Sequence, residues 1–289
     1  MTAPVGPPAT VPALPTVLHR AVRYELHRLR ALKSTWIVLG VLLAASLLNG
    51  ALLLLELPTA EGGIRLPLDT TTLADWLQHN PTAQQVPLSA LLLVFVFGTG
   101  PVSSELRFHT ARTSWLTLGS RTVAYAAKLI VGAASVLAAA CTGLLLQAAT
   151  GWATLTIADA PQPDWGAAVP AVLRYLLIMA CWPVLAAGVA ALLGSRVAAA
   201  LALTVWPLLG ERIAGFLLGR VPGLDGVGEW LPFTAARAAL HVPGDETDPF
   251  VRALIGSSLA PATGLAVFLL WTAAAATAGW LRYTRRAAP

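Results

Sequence analysis

Charge is what this sequence has least of. Only 11% of its 289 residues are Asp, Glu, Lys or Arg, against 56% apolar ones, where a soluble domain carries about 25% charge. So few charges cannot cover a surface in water, and the mean hydropathy of +0.70 suits a chain whose solvent is lipid. Cysteine is nearly missing as well. Cys141 and Cys181 both sit in apolar runs, which excludes a disulfide framework and leaves them as small buried residues. Lysine occurs only as Lys33 and Lys128, against 17 arginines. Neither closes a GxxxxGK(S/T) loop, so the chain has no ATP-phosphate cradle of its own. The five histidines, His19, His27, His79, His109 and His241, are scattered, and neither HExxH nor GxSxG occurs. No catalytic, metal-ligating or cofactor-binding residue is therefore assigned.

What the sequence does have is apolar runs of about 20 residues, the length that crosses a bilayer. They cover roughly 35–55, 86–102, 123–148, 171–193, 197–218 and 259–281, the fifth interrupted by Glu211 and Arg212. The expected fold is an all-α polytopic membrane protein with six spans within 35–281. Residues 1–15 are Pro/Ala-rich and aperiodic, hence disordered, and lack the basic start and apolar core of a cleavable signal peptide. Residues 16–34 form an amphipathic interfacial helix. Leu18, Val22, Leu26 and Leu29 make its stripe, with Arg20, Arg23, His27, Arg28 and Arg30 directed at anionic headgroups.

The net charge of +5 and pI of about 9.8 do not point to nucleic acid, because the basic residues flank the apolar runs. With the amino terminus inside, 13 of the 19 basic residues fall on the inner side, including Arg107, Arg112, Arg121, Lys128, Arg196 and the tail at 282–289. Nearly all acids fall outside. This agrees with the positive-inside rule and places both termini in the cytoplasm. The arginine and alanine bias suits a GC-rich bacterial genome, so the expected location is a bacterial inner (plasma) membrane. The outer segments are 56–85, with a short helix around 72–79, then 150–170, and the long loop 219–258. In that loop LPFTAARAAL reads as a short helix opened by Pro232.

Among the isolated polar residues, Asn49 is expected to hydrogen-bond between helices. Glu56 should reach water at the end of the first span, and Arg174 should snorkel from the fourth. Glu211 and Arg212 either face outer water beyond a short fifth span, or form a polar step or re-entrant turn. Trp36, Trp271, Trp280 and Tyr283 read as interface anchors.

Residues 103–121, SSELRFHTARTSWLTLGSR, are a cytoplasmic connection longer and more ordered than a turn requires. Phe108, Ala111, Trp115 and Leu118 repeat at helical spacing, with Arg107, Thr110, Ser114 and Arg121 on other faces. That stripe is buried either in the lipid interface or in a partner. Just upstream, Gly98, Gly100 and Pro101 mark either a hinge or a static bend.

The pattern Glu105, Arg107, Thr110, Leu116, Ser120–Arg121 and Lys128 resembles the permease subunits of type-2 ATP-binding-cassette (ABC) transporters. The basic stretch RYELHRLRALKSTW entering the first span and the LP-x-x-A-type stretch before the last are similar too. There are departures: His109–Thr110 stands where the family often has Gly-Thr, and Gly119 where a Pro commonly precedes the Ser-Arg.

The resemblance implies an exporter permease acting as a homodimer or with a second similar permease, among membrane lipids, above separate ABC ATPase subunits that bind ATP and Mg. Residues 103–121 would then be the coupling helix. Phe108, Trp115 and Leu118 would be its apolar anchors in the ATPase, Arg107, Arg112 and Arg121 its charged contacts, and Glu105 the organiser of the junction. The cargo path would be lined by Phe95, Phe97, Thr204 and Trp206, which suits a hydrophobic or amphiphilic cargo such as an antibiotic, peptide or lipid. The competing readings are a non-transporting membrane anchor or sensor that recruits a soluble partner, and a membrane-embedded enzyme or secondary transporter. The last should carry intramembrane Asp, Glu or His, which spans one to four and six lack.

Overall fold

The computed structural model describes residues 14–82, 92–107, 111–118, 120–224, 226–241 and 257–285. Among them no strand forms; a single bridge joins Thr59 and Arg65. Helix α1 is Leu14–Ala31, α2 Lys33–Ala51 with one tighter turn at Leu52–Leu55, and α3 Thr70–Gln78. A wide π turn, Val94–Gly98, leads into α4, Thr99–Arg107, followed by α5, Ala111–Leu118, and α6, Arg121–Ile157. Helix α7 is Val169–Leu193. Arg196–Val205 (α8), a second π turn at Trp206–Gly210 and Glu211–Leu218 (α9) run on as one rod, before α10, Pro232–Leu240, and α11, Pro261–Arg285.

Among the described residues, five helical runs are long and apolar enough to cross a membrane: Lys33–Leu55, Arg121–Ile157, Val169–Leu193, Arg196–Leu218 and Pro261–Arg285. The chain is thus a membrane-embedded helical bundle. Of the run expected at 86–102, the part from residue 92 is helical and continues to Arg107, and 83–91 lie outside the described residues.

The helix limits follow from local chemistry. Ser120 Oγ accepts the Val123 amide at 3.4 Å and starts α6; Ser195 Oγ accepts that of Ala198 at 3.3 Å and starts α8. Between α7 and α8, Gly194 turns left-handed with φ 70° and stops the helix. Helix α6 runs 37 residues, about 55 Å at 1.5 Å per residue, well beyond a hydrocarbon core of about 30 Å. The run expected at 123–148 therefore continues nine residues further. Its added turns hold because Thr150 and Thr156 return their hydroxyls to the carbonyls of Leu146 and Trp152, at 2.7 and 2.8 Å. Gly151 and Leu155 meanwhile pack inward.

Helix α7 is the core element. Tyr175, Ile178, Met179, Trp182, Ala186 and Ala190 are buried, and 56% of its apolar window is covered against 11% for Arg196–Leu218, which makes the latter the peripheral rod. Small residues let backbones meet. A Cβ on Gly188 would stand 2.5 Å from the Ala275 carbonyl oxygen, and one on Gly279 2.8 Å from Gly188 Cα, so α7 and α11 cross at this glycine pair.

One end of the bundle gathers α1, α5, the start of α6 and the end of α11. Its exposed charges, Arg20, Arg23, Arg30, Lys33, Arg107, Arg121, Arg282 and Arg285, are all cationic, and it is called the basic end below. At the far end, α3 packs Leu73, Trp76 and Leu77 inward, and Trp76 meets Trp165 edge-on at 6.4 Å. Beneath it lies a buried polar seam. Asn80 Oδ1 accepts the Thr82 amide and hydroxyl at 2.8 and 2.7 Å and lies 3.2 Å from Ser46 Oγ. Its amide donates to Gln147, which donates in turn to the Trp76 carbonyl at 3.0 Å.

Candidate functional site

Helix α1 turns Ala21, Glu25 and Leu29 into the protein, so a carboxylate sits in the middle of its inward face. It meets Lys128, one of only two lysines, from α6, and Glu105 from α4. Their side chains are 2%, 0% and 3% exposed, and burial of this kind demands partners. Lys128 Nζ contacts Glu25 Oε1 and lies 2.9 Å from Glu105 Oε1. Arg28, on the same face as Glu25, donates to Glu105 Oε1 at 3.1 Å, to Glu25 Oε2 at 3.3 Å and to Ser104 Oγ at 2.8 Å.

Glu105 is the centre of the cluster. Its Oε1 takes Arg28, Lys128 and Ser114 (2.9 Å), and its Oε2 accepts the Tyr283 hydroxyl (3.0 Å). These donors come from α1, α6, α5 and α11, so one side chain on α4 binds four other helices. Two carboxylates and two cations leave the cluster formally neutral, the condition under which buried charge is tolerated. Aromatic packing closes it: Tyr283 meets Trp115 edge-on at 5.7 Å and Tyr125 at 5.3 Å, and the Arg121 guanidinium lies 4.4 Å above the Trp115 ring. Arg121 also donates to the Thr284 carbonyl at 2.7 Å.

The stretch expected as one coupling helix is divided. Residues 103–107 belong to α4 and Ala111–Leu118 form α5, 108–110 and 119 lie outside the described residues, and Ser120 caps a new helix at Arg121. Trp115 and Leu118 are 8% and 4% exposed, packed on Ala21, Val102, Ala124 and Tyr283 of this same chain. They anchor α5 to the bundle, and among its described side chains α5 offers outward Leu116, 75% exposed, with Thr117 beside it. Glu105 lies where α4 meets α1, α5, α6 and α11, and Arg107 is exposed. Phe108 and the side chain of Arg112 lie outside the described residues. Glu25 was not singled out from sequence, and three others take a different place from the one expected: Arg28 turns into the cluster and not to headgroups, Ser114 donates to Glu105, and Tyr283 is fully buried and no interface anchor. A carboxylate falling within the stripe of α1 was the available signal.

Gly98 is a contact glycine: its Cβ position lies 2.6 Å from that of Ala186, so the π turn ahead of α4 presses against α7 there. Pro101 is buried, and its missing N–H frees the Phe97 carbonyl where the π turn ends. Gly100 is half-buried in the same turn. Phe97 is 2% exposed and packed inside the bundle. The side chain of Phe95 lies outside the described residues. The Thr204 hydroxyl is returned to the Ala200 carbonyl at 2.9 Å, while Trp206 is 45% exposed.

The interruption of the fifth run has a structural cause. Leu231, at the N-cap of α10, has no side chain that can cap. Glu211 does so from α9: its carboxylate accepts the amides of Phe233 (2.9 Å) and Thr234 (2.7 Å) and the Thr234 hydroxyl (2.9 Å). Negative charge at a helix start is favourable, and the group is 1% exposed, so it does not face water. Helix α10 thus re-enters the bundle. Phe233 meets Trp182 edge-on at 5.2 Å, and its other end is capped by Arg174, which donates to the Ala239 carbonyl at 3.0 Å instead of snorkelling. Asn49 makes no interhelical bond among the described residues; Ser46, one turn earlier, faces Asn80. Glu56 is exposed. Among the described residues no three His, Cys, Asp or Glu are grouped to hold a metal ion. No known protein family, no curated protein and no solved structure matches this chain.

Proposed function

We propose that this chain is the membrane permease subunit of a bacterial ABC exporter of type 2, driven by a separate ATPase, with six spans and both termini in the cytoplasm. The observation that carries the reading is the Glu105 cluster beside α5. A short helix is held at the basic end by a buried carboxylate whose other ligands sit on α1, α6 and α11, so a displacement of α5 is transmitted to the membrane helices at once. Such a packed, discretely arranged junction suits a part that must pass an ATPase's motion into a bundle. The positive-inside rule makes the basic end cytoplasmic. The partner then meets Leu116, Thr117 and the basic rim of Arg107, while Trp115 and Leu118 hold α5 from behind. A cargo path would lie against the peripheral rod Arg196–Leu218, between two permeases.

The test is affinity purification of the protein from mild-detergent extracts of native membranes, with mass spectrometry of the copurifying chains. A stoichiometric soluble-type chain bearing a Walker A loop, lost on Leu116→Asp, is the expected result. Recovery of the chain alone from several detergents overturns the reading in favour of a membrane anchor or sensor.

A further inference from the structure

Helix α1 meets the bundle through charges that are partitioned in an uncommon way. Glu25 and Arg28, one turn apart on its inward face, pair with each other at 3.3 Å. The bundle answers with a pair of its own, Lys128 of α6 and Glu105 of α4 at 2.9 Å. Across the joint the contacts run crosswise: Lys128 reaches Glu25, and Arg28 reaches Glu105 at 3.1 Å and Ser104 Oγ at 2.8 Å. Each side is therefore neutral by itself. A buried pair with one charge on each side locks its two elements, because parting them strands a charge. Here parting strands none: Glu25 keeps Arg28, Lys128 keeps Glu105, and Glu105 keeps Ser114 and Tyr283.

The rest of the joint is separable too. Ala21 and Leu29 are buried against the bundle, but Leu18, Val22 and Leu26 are only half-buried. One residue, Leu32, joins α1 to α2. It is extended at φ −82° and ψ 119°, and no side chain caps the start of α2. Residues at the ends of elements are where hinge rotation is absorbed. Off the bundle, the leucine stripe with Arg20, Arg23 and Arg30 beside it suits the bilayer interface, and Arg28 accompanies Glu25 there.

We propose that α1 is a charge-balanced latch: it swings off the bundle about Leu32 as an intact helix, taking the Glu25–Arg28 pair with it and leaving Lys128–Glu105 in place. What the latch controls is α5. Ala21 belongs to the apolar cluster that holds Val102, Trp115 and Leu118, so docked α1 fixes α5 from behind and undocked α1 releases it. The latch is a property of this chain alone and stands without the transporter reading.

The experiment measures, by pulsed electron paramagnetic resonance, the distance between spin labels at R20C and R282C, both exposed and outside the cluster. It uses the full chain carrying C141A/C181A, in nanodiscs of phosphatidylcholine and phosphatidylglycerol. Arg20 lies 12 residues from Leu32, about 18 Å at 1.5 Å per residue, so a swing of about 30° moves its label by about 9 Å. The variant E25R/R28E keeps α1 neutral and internally paired but sets like charges against Lys128 and Glu105. It should raise the ratio of undocked to docked distances at least about tenfold, the equivalent of one lost charge-assisted contact. E25Q/R28Q, which removes the crosswise contacts without repulsion, should shift the ratio the same way by less. It should still unfold cooperatively in SDS, and adding E105Q should still destabilise it, since the Lys128–Glu105 pair remains in the bundle. A distance distribution unmoved in both variants, or loss of cooperative unfolding in E25Q/R28Q, overturns the proposal. No ATPase takes part, so failure here leaves the transporter reading standing.

Discussion

Replacing Glu105 by Gln keeps the shape of the central side chain and removes its charge. Arg28, Ser114, Lys128 and Tyr283 then share an amide that offers one oxygen, and the cluster changes from neutral to +1 around a Lys128 that is wholly buried. Breaking a buried pair from one side costs about 3–5 kcal/mol, and because Lys128 and Arg28 keep Glu25 as a shared partner the loss should lie at the low end of that range. K128M alone leaves the opposite imbalance, with Glu25 and Glu105 facing one Arg28, and should cost a similar amount. The double variant E105Q/K128M restores neutrality, with the Glu25–Arg28 pair at 3.3 Å intact. Its cost should fall below the sum of the singles by at least about 2 kcal/mol, well outside the ~0.5 kcal/mol scatter of independent sites. Reversible SDS unfolding of the full chain in mixed micelles measures all three. Additive losses would refute the claim that these charges act as one unit. In E105Q, protease should also cut within 111–118 faster, since α5 loses the Ser114 bond and the Tyr283 support for Trp115.

Glu211→Gln should loosen α10 by about 1–2 kcal/mol, the cost of a weakened helix cap, read as faster alkylation of a cysteine placed at Thr234; an unchanged rate contradicts the cap. Gly279→Ala puts a Cβ 2.7 Å from the Tyr125 hydroxyl and 2.8 Å from Gly188 Cα, whereas one at Gly40 meets nothing within 4 Å. Thermal unfolding should therefore be lowered by G279A and left alone or raised by G40A, which gains about 0.5–1 kcal/mol of helix propensity. The hydrogen bond that His79 donates to the Asp75 carboxylate raises the His79 pKa above its ordinary value, against the opposing effect of burial. The pair therefore stabilises α3 fully below about pH 6.5 and loses that contribution as pH rises through the raised value. Both groups are more than half exposed, so the midpoint should shift only slightly between pH 5.5 and 8.5, and D75N should abolish the shift.

Much of the bundle could be read from apolar run length, because spanning a membrane is a one-dimensional demand on composition. The ends of the runs were harder. Residues 149–157 carry Thr and Gly that resemble a loop, yet the hydroxyls are satisfied by their own helix and Gly151 is a contact point, which run length does not reveal. The connection 103–121 shows period 3.6 throughout, and periodicity alone does not show that Ser120 begins a new helix or that Trp115 faces inward. The roles of Glu25 and Glu211 depend on partners 103 and 22 residues away in sequence. Both carry their charge inside the protein because a cation or a helix start waits there, and only the fold brings those together.

Helix α6 also has the proportions of a lever. Lys128, in the Glu105 cluster, lies near one tip, and Ile157 is the other, 29 residues on, about 43 Å at 1.5 Å per residue. If the rod pivots at the cluster, a tilt of about 5° sweeps the distal tip through about 4 Å on that same rise. Trp76 and Leu53, which pack on Gly151, would be carried with it. A rearrangement no larger than one exchanged hydrogen bond at the basic end is thus magnified into a displacement of a whole surface layer at the other.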